Sequence, residues 1–373
     1  MSTTLSSELS DLRDAVADLL NKRAPESEVR RLMAGEDGYD PAVWSVLAGM
    51  GLVGLIIPEE YGGAGAGAAD LAVVAEQFGR VLFCGPYLST AVLTPYLLLA
   101  LGDAPECTDT LPRIAAGELI ATVAFAEPEA HSARPPQYPA TVAESTAEGW
   151  RLTGEKTYVL DAATAQRIYV QAESGSGTSI FAVDAGAPGL VVSPLTTVDQ
   201  TRKQARVTLS DTPARLVGGA GAGAAALAEA LDRAAVALVA EQAGGALQAM
   251  RMATDYARTR YQFGRAIGSF QAIKHMCVDM LLEAESAVSA ARHVAAAFDA
   301  GDPDRLADLA LAQAYCSDAF VSVAATTIQV HGGIGFTWEH PAHLYLRRAR
   351  TDAQIFGDPA WHRERYVRIR EEN

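Results

Sequence analysis

Cysteine is scarce in this chain: four residues in 373, Cys84, Cys107, Cys277 and Cys316, with no CxxC among them. So scattered a set excludes a zinc or thioredoxin-type motif, and reduced, buried thiols are expected rather than a disulfide framework. Basic residues are in the minority, 30 Lys and Arg against 45 Asp and Glu, giving a formal net charge of −15. That sign excludes general nucleic-acid binding, which depends on cations neutralising phosphates. The opening stretch MSTTLSSELSDLRDAVADLL lacks the basic leader and apolar block of a signal peptide, and no apolar run approaches a membrane span. A cytoplasmic protein that does not associate with membranes is the expectation. A complete GxGxxG is also missing. In GGAGAGAAD (62–70) and GGAGAGAAA (218–226) no frame supplies it, and Pro58 with two glutamates separates the first from the apolar run LVGLII. A dinucleotide-binding βαβ unit needs strand, glycines and helix in direct succession, so both stretches read as connectors.

The chain is long enough for two or three packed units, and 49% hydrophobic with 20% charged residues is ordinary for a globular protein. Three textures follow one another. Residues 1–116 carry a helical period, with Leu9, Leu12, Val16 and Leu19 at three-to-four spacing and a second run from Ala69 through Phe78. Residues 117–216 turn to short β-type runs, IATVAFAE, GWRLTGEKTYVL, RIYVQAE, SIFAVDA, LVVSPL and ARVTLSD, separated by turn residues. That spacing predicts a small antiparallel barrel or sandwich. Residues 222–373 return to long helices, and 271–300 contain neither glycine nor proline. The predicted class is α+β multidomain: helical domain, β-barrel domain, four-helix bundle.

Two stretches carry chemistry. In YARTRYQFGRAIGSFQAIKHMCVDM (256–280) the pattern predicts a helix ending near Gly264 and another starting around Ser269. Arg260, Gln262 and Gln271 flank the break, and their fork and amide donors suit a pyrophosphate and a base edge. By chemistry alone a helical corner, its arginine paired with a carboxylate, is the simpler reading. In IQVHGGIGFTWEHPAH (328–343) the glycines either admit close backbone approach to a ligand or cap a helix. Glu339, His340 and His343 lack a further acidic ligand at motif spacing, so they read as surface and interface residues and no metal is expected.

RxQFGxxIxxFQ followed by QxHGGxGFTxE resembles the paired signatures of acyl-CoA dehydrogenases, and IPEEYGGAG, AEP (126–128) and YVRIRE fall in the matching order. The resemblance spans essentially the whole chain. It implies FAD as cofactor, an acyl-CoA substrate, a dimer or dimer of dimers, and an electron-transfer flavoprotein as acceptor. It also implies α,β-dehydrogenation, in which a carboxylate takes the α-proton while the β-hydrogen leaves as hydride to the flavin. On the same resemblance Arg260, Phe263, Gln271, Gln329, Gly332 and Gly333 hold the pyrophosphate and adenosine end of a neighbouring subunit's flavin.

The match fails elsewhere. Where the family has T-E-P-x-x-G-S-D at its own flavin, this chain has AEPEAHSA: Ser132 survives, but Ala126 and Ala133 replace polar residues. Where it has W-[IV]-[TS]-N, this chain has YVLD; Tyr158 can stack, but Leu160 cannot donate. Each hydrogen bond to the flavin that is missing for this reason costs about 1 kcal/mol. The family's I-Y-E-G, whose glutamate is the base, appears as Ile355, Phe356, Gly357 and Asp358. The base position is thus Gly357, with Asp358 one residue later. The alternative base position on a bundle helix is Ala234, and Glu241 lies on the wrong turn. Three readings follow. In the first, the chain completes the flavin site of a paralogous subunit, as in actinobacterial steroid-CoA dehydrogenases, and the alanine-rich composition fits a GC-rich bacterium. In the second, a homomeric dehydrogenase uses Asp358 as base. In the third, a non-catalytic acyl-CoA-binding or scaffold chain lacks flavin.

Overall fold

A computed structural model describes residues 6–128, 134–136 and 138–372. The first helices start where side chains replace missing backbone acceptors. Ser6 caps α1 (Ser7–Arg23) by accepting from the Leu9 N–H at 3.2 Å, and Asp40 caps α3 (Pro41–Gly49), which has proline at its first position. Between them lies α2 (Glu26–Ala34), and α4 (Ala68–Arg80), α5 (Thr94–Leu101) and α6 (Ala104–Ala115) follow. Tyr87–Leu93, directly before α5, is a fully buried π-helix.

Seven strands come next: β1 (Ala121–Ala124), β2 (Val142–Thr146), β3 (Gly149–Leu160), β4 (Arg167–Ser174), β5 (Gly177–Asp184), β6 (Leu190–Pro194) and β7 (Gln204–Val217). The pairings β4–β2, β2–β3, β3–β7, β7–β5 and β5–β4 return to their start, so the sheet closes on itself. It is not wholly antiparallel, because β1 and β2 both pair with β4 in parallel. β2, VAEST, was not among the expected strands: four of its five residues are exposed and it has little apolar signal. Inside the sheet Lys156 is fully buried. Its Nζ donates to Glu127 at 2.7 Å, and Glu127 also accepts from the Ala140 and Thr141 N–H groups. Burial pushes Lys156 down to about 8, against the pull of Glu127.

Helices then resume: α7 (Gly223–Thr259), α8 (Gln271–Asp299), α9 (Arg305–His331), α10 (Ala342–Asp352) and α11 (Pro359–Glu372). Between α7 and α8 the two short strands β8 (Tyr261–Gln262) and β9 (Arg265–Ala266) form a hairpin, so α7 ends five residues earlier than the sequence suggested. The stretch Arg305–Phe336 has the length and apolar content of a membrane span, contrary to the expectation that none exists. Alanine explains the difference: it raises mean hydropathy without forming a block of large side chains. Half of that window is buried, packed beside α8, α10 and α11.

The chain divides into two compact units. One comprises Leu32–Gly67 and Cys84–Ala234 and holds the barrel; the other comprises Met1–Arg31, Ala68–Phe83 and Ala235–Asn373. In the second unit, α4 and α7 meet through a reciprocal pair of glycines. A Cβ on Gly79 would lie 1.9 Å from the Glu241 carbonyl oxygen, and one on Gly244 would lie 1.9 Å from that of Glu76. Backbone thus packs on backbone. Around this crossing Ala246, Ala249 and Ala253 are wholly buried on α7, as are Ala284 and Ala287 on α8. Alanine serves twice, as the best helix former and as a spacer that lets axes approach. Gly79→Ala should therefore destabilise the fold by about 2–4 kcal/mol, as overpacking against backbone that cannot yield. Denaturant titration of the variant checks this, and a change below about 0.5 kcal/mol would show that the helices separate freely.

Candidate active site

The six residues expected to face a neighbouring subunit lie in the helical unit, and all are exposed. Arg260 follows α7, Phe263 and Gly264 form the hairpin tip, Gln271 opens α8, and Gln329 with Gly332 and Gly333 ends α9. Phe263 has φ +53° and Gly264 φ +79°, the paired positive values that a two-residue primed turn requires. A bulky residue in that region is uncommon, and this one is 90% exposed. The ends of α7 and α9 are held together by the Tyr256 ring stacked on His331 at 4.4 Å, immediately before Gly332. A Cβ on Gly332 or Gly333 would meet nothing within 4 Å, so these glycines face open space. The helical-corner reading of Arg260 fails: among the described residues it has no carboxylate partner. Its neighbours are satisfied, Arg258 by Asp255 at 3.5 Å and Arg265 by the Phe270 ring at 3.9 Å. A free guanidinium, two exposed amides and two bare glycines fit the phosphate and adenosine end of FAD.

The barrel residues expected at the chain's own flavin are differently placed. Ala126 and Leu160 are buried, and their backbones are engaged: the Ala126 carbonyl accepts from the Thr157 N–H at 2.9 Å, and that of Leu160 from Thr122 Oγ1 at 2.6 Å. Neither side chain offers a polar group. Tyr158 stands at a register shift in β3 with φ +53° and is 42% exposed, so its ring remains available for stacking. Ser132 and Ala133 lie outside the described residues. This half is a poor fit for the polar edge of a flavin ring.

At the base position the segment after α10 turns through two successive left-handed residues, Phe356 at φ +64° and Gly357 at φ +123°. Asp358 is a helix cap: its Oδ1 accepts from the Trp361 N–H at 2.9 Å, with Pro359 opening α11. The second base position, Ala234, is fully buried with no carboxylate of its own. Glu241 is occupied as well, paired with Arg348, which also donates to the Phe83 carbonyl at 3.2 Å. No carboxylate stands free at either position.

The spacing of Glu339, His340 and His343 reads as surface and interface residues, and His343 departs from it. His343 is buried with its ring edge-on to Trp338 at 4.7 Å, and the half-buried His340 lies 4.2 Å from His331. Their spacing around Pro341 gave no sign of this, because neighbouring helices supply the burial. Among the described residues no group of three could hold a metal. Burial, with Arg347 and Arg30 adding repulsion, pushes His343 down to about 4, and burial with Arg365 pushes His362 down to about 3. Trp361 and His362 also went unread; HRER looks like the polar face of a basic helix.

The N-terminal domain model of acyl-CoA dehydrogenases matches residues 6–118, and the C-terminal domain model matches residues 221–369. The chain belongs to the acyl-CoA dehydrogenase family, oxidoreductases acting on CH–CH groups. It is 34% identical to the acyl-CoA dehydrogenase IpdE2 of Mycobacterium tuberculosis over 93% of this chain and 92% of that protein. It is 36% identical to FadE34 of the same organism over 84% of this chain, but only 40% of FadE34. Among solved structures, a variant of the steroid ACAD Tcur3481-Tcur3483 aligns with TM-score 0.87 and 30% identity over 99% of both chains. The ChsE4-ChsE5 complex of Mycobacterium tuberculosis aligns with TM-score 0.89 and 28% identity over 100% of both.

The cap and the buried imidazoles can each be tested. Asp358→Ala should cost about 1 kcal/mol through loss of the cap, and Asp358→Ser should recover most of it; equal losses would show that Asp358 does more than cap. His343 and His362 are held neutral in the fold but titrate near 6.5 when unfolded, so stability is full above that pH and falls as pH drops toward 4 and 3. At pH 5 unfolding should take up nearly two protons at these residues, a slope of about 1.4 kcal/mol per pH unit for each. Replacing both with glutamine should flatten the stability profile between pH 6.5 and 4.

Proposed function

We propose that this chain is one subunit of a flavin-dependent acyl-CoA dehydrogenase in which a paralogous chain supplies the base and the isoalloxazine pocket. One observation carries the reading: the six partner-directed residues are exposed, while Ala126, Leu160, Ala234 and Gly357 are buried without a polar side chain and Asp358 is a helix cap. Loss of function by drift would blur both sets together. FAD, when bound, supplies the acceptor for the β-hydride. Arg260 would meet its pyrophosphate with a charge-assisted fork, Gln271 and Gln329 would reach the polar edge of the adenosine, and Gly332 and Gly333 would let the backbone approach. Phe263, at the hairpin tip, would be buried against the partner. On this reading the α-proton goes to a carboxylate of the partner and not to Asp358 or Glu241.

The substrate is an acyl-CoA thioester. A steroid-CoA is supported by likeness to a steroid ACAD at 30% identity, and pairing of paralogues by likeness to a two-component complex. Electrons would leave to an electron-transfer flavoprotein. In the intact complex Arg260→Ala should lower retained flavin about tenfold or more, the effect of removing a charge-assisted hydrogen bond worth roughly 1.5–3 kcal/mol. Asp358→Asn should leave turnover within about twofold, because the amide oxygen still caps α11. A loss beyond about a hundredfold, with the complex intact, would instead make Asp358 the base and overturn the reading that the partner supplies it.

A further inference from the structure

Absence of a carboxylate at residue 357 is built into the backbone and its surroundings, not into one side chain. At φ +123° Gly357 occupies a region that residues with a Cβ rarely enter. The space beside it is filled: an ideal Cβ there would lie 2.7 Å from Trp361 Cε3, 3.1 Å from Trp361 Cζ3 and 3.0 Å from His362 Nε2. Trp361 is half-buried and has contacts of its own. Its backbone N–H is fixed by the Asp358 carboxylate, its ring meets that of His362 edge-on at 4.8 Å, and the Arg365 guanidinium sits 5.7 Å from its centroid. His362 beside it is 1% exposed, and α11 packs on α9.

We propose that Trp361, backed by His362, closes this chain's base position, so that no single substitution at Gly357 can return a carboxylate to it. The proposal rests on the reading that the partner supplies the base, and it adds the residues that keep this subunit from doing so. His362 is not a substitute base. Its Nε2 lies 3.0 Å from where a Cβ on Gly357 would stand, in a fully buried side chain. Burial also holds the imidazole neutral down to about pH 3, leaving it a weak proton acceptor. A site that had merely lost its glutamate would retain the room for one.

The test is a suppression experiment on the full chain in its native assembly, read as thermal midpoints. Gly357→Ala should lower the midpoint by about 4 °C or more, from backbone strain and the clash together. Gly357→Glu should lower it further. With Trp361→Ala already present, the added drop from either change should shrink by about half, since the strain and the His362 contact remain but the clash with the indole is gone. Additive penalties in the two backgrounds, or a Gly357→Ala variant as stable as the parent, would overturn the proposal. If Gly357→Glu does not fold, the Gly357→Ala pair makes the same comparison. Flavin content does not enter this test, so the subunit reading and the closed position can fail separately.

Discussion

The buried ion pair between Arg348 and Glu241 is the contact on which the helical unit turns. Arg348 is 2% exposed, bonded to the Glu241 carboxylate on α7 and to the Phe83 carbonyl just beyond α4. One guanidinium therefore joins α10 to α7 and to the segment after α4, and within α4 Gly79 already brings that helix's backbone against α7. Removing either partner would strand a buried charge at a cost of about 3–5 kcal/mol, although the intact pair adds little net stability. Its importance is positional. Within ten residues of Arg348 the chain reaches Ile355, Phe356 and Gly357, so the register of α10 decides where the base segment lies. The same bond removes Glu241 from consideration as a base.

Much of this was legible in the sequence, for physical reasons. The order of helices, strands and helices follows from periodicity, and the paired motifs around Arg260 and Gly332 are specific enough to give the family. Harder to read were features that depend on three-dimensional neighbours. Asp358 looks like a carboxylate near a base position, and only the Trp361 N–H at 2.9 Å makes it a cap. Gly357 reads as a deletion of function until its φ and the indole beside it are known. The histidines around Pro341 look like surface residues because nothing local buries them. β2 is hard to read because four of its five side chains are exposed and its one buried residue is the small Ala143.

The two sets of candidate residues differ in what they expose. Those that would serve a neighbour are exposed on the helical unit, at the hairpin and at the end of α9. Those that would serve the chain itself have exchanged polar side chains for Ala126, Leu160 and Gly357. A symmetric dimer would give every flavin a good adenosine end and a poor ring end, whereas a mixed dimer gives one flavin both good ends.

Counting FAD released per polypeptide, for the chain purified alone and for the complex with its paralogue, tests this most directly. The account predicts one FAD per two chains in the complex and little or none in the chain alone. A homomer of this chain that is yellow, active and carries one FAD per polypeptide would contradict it.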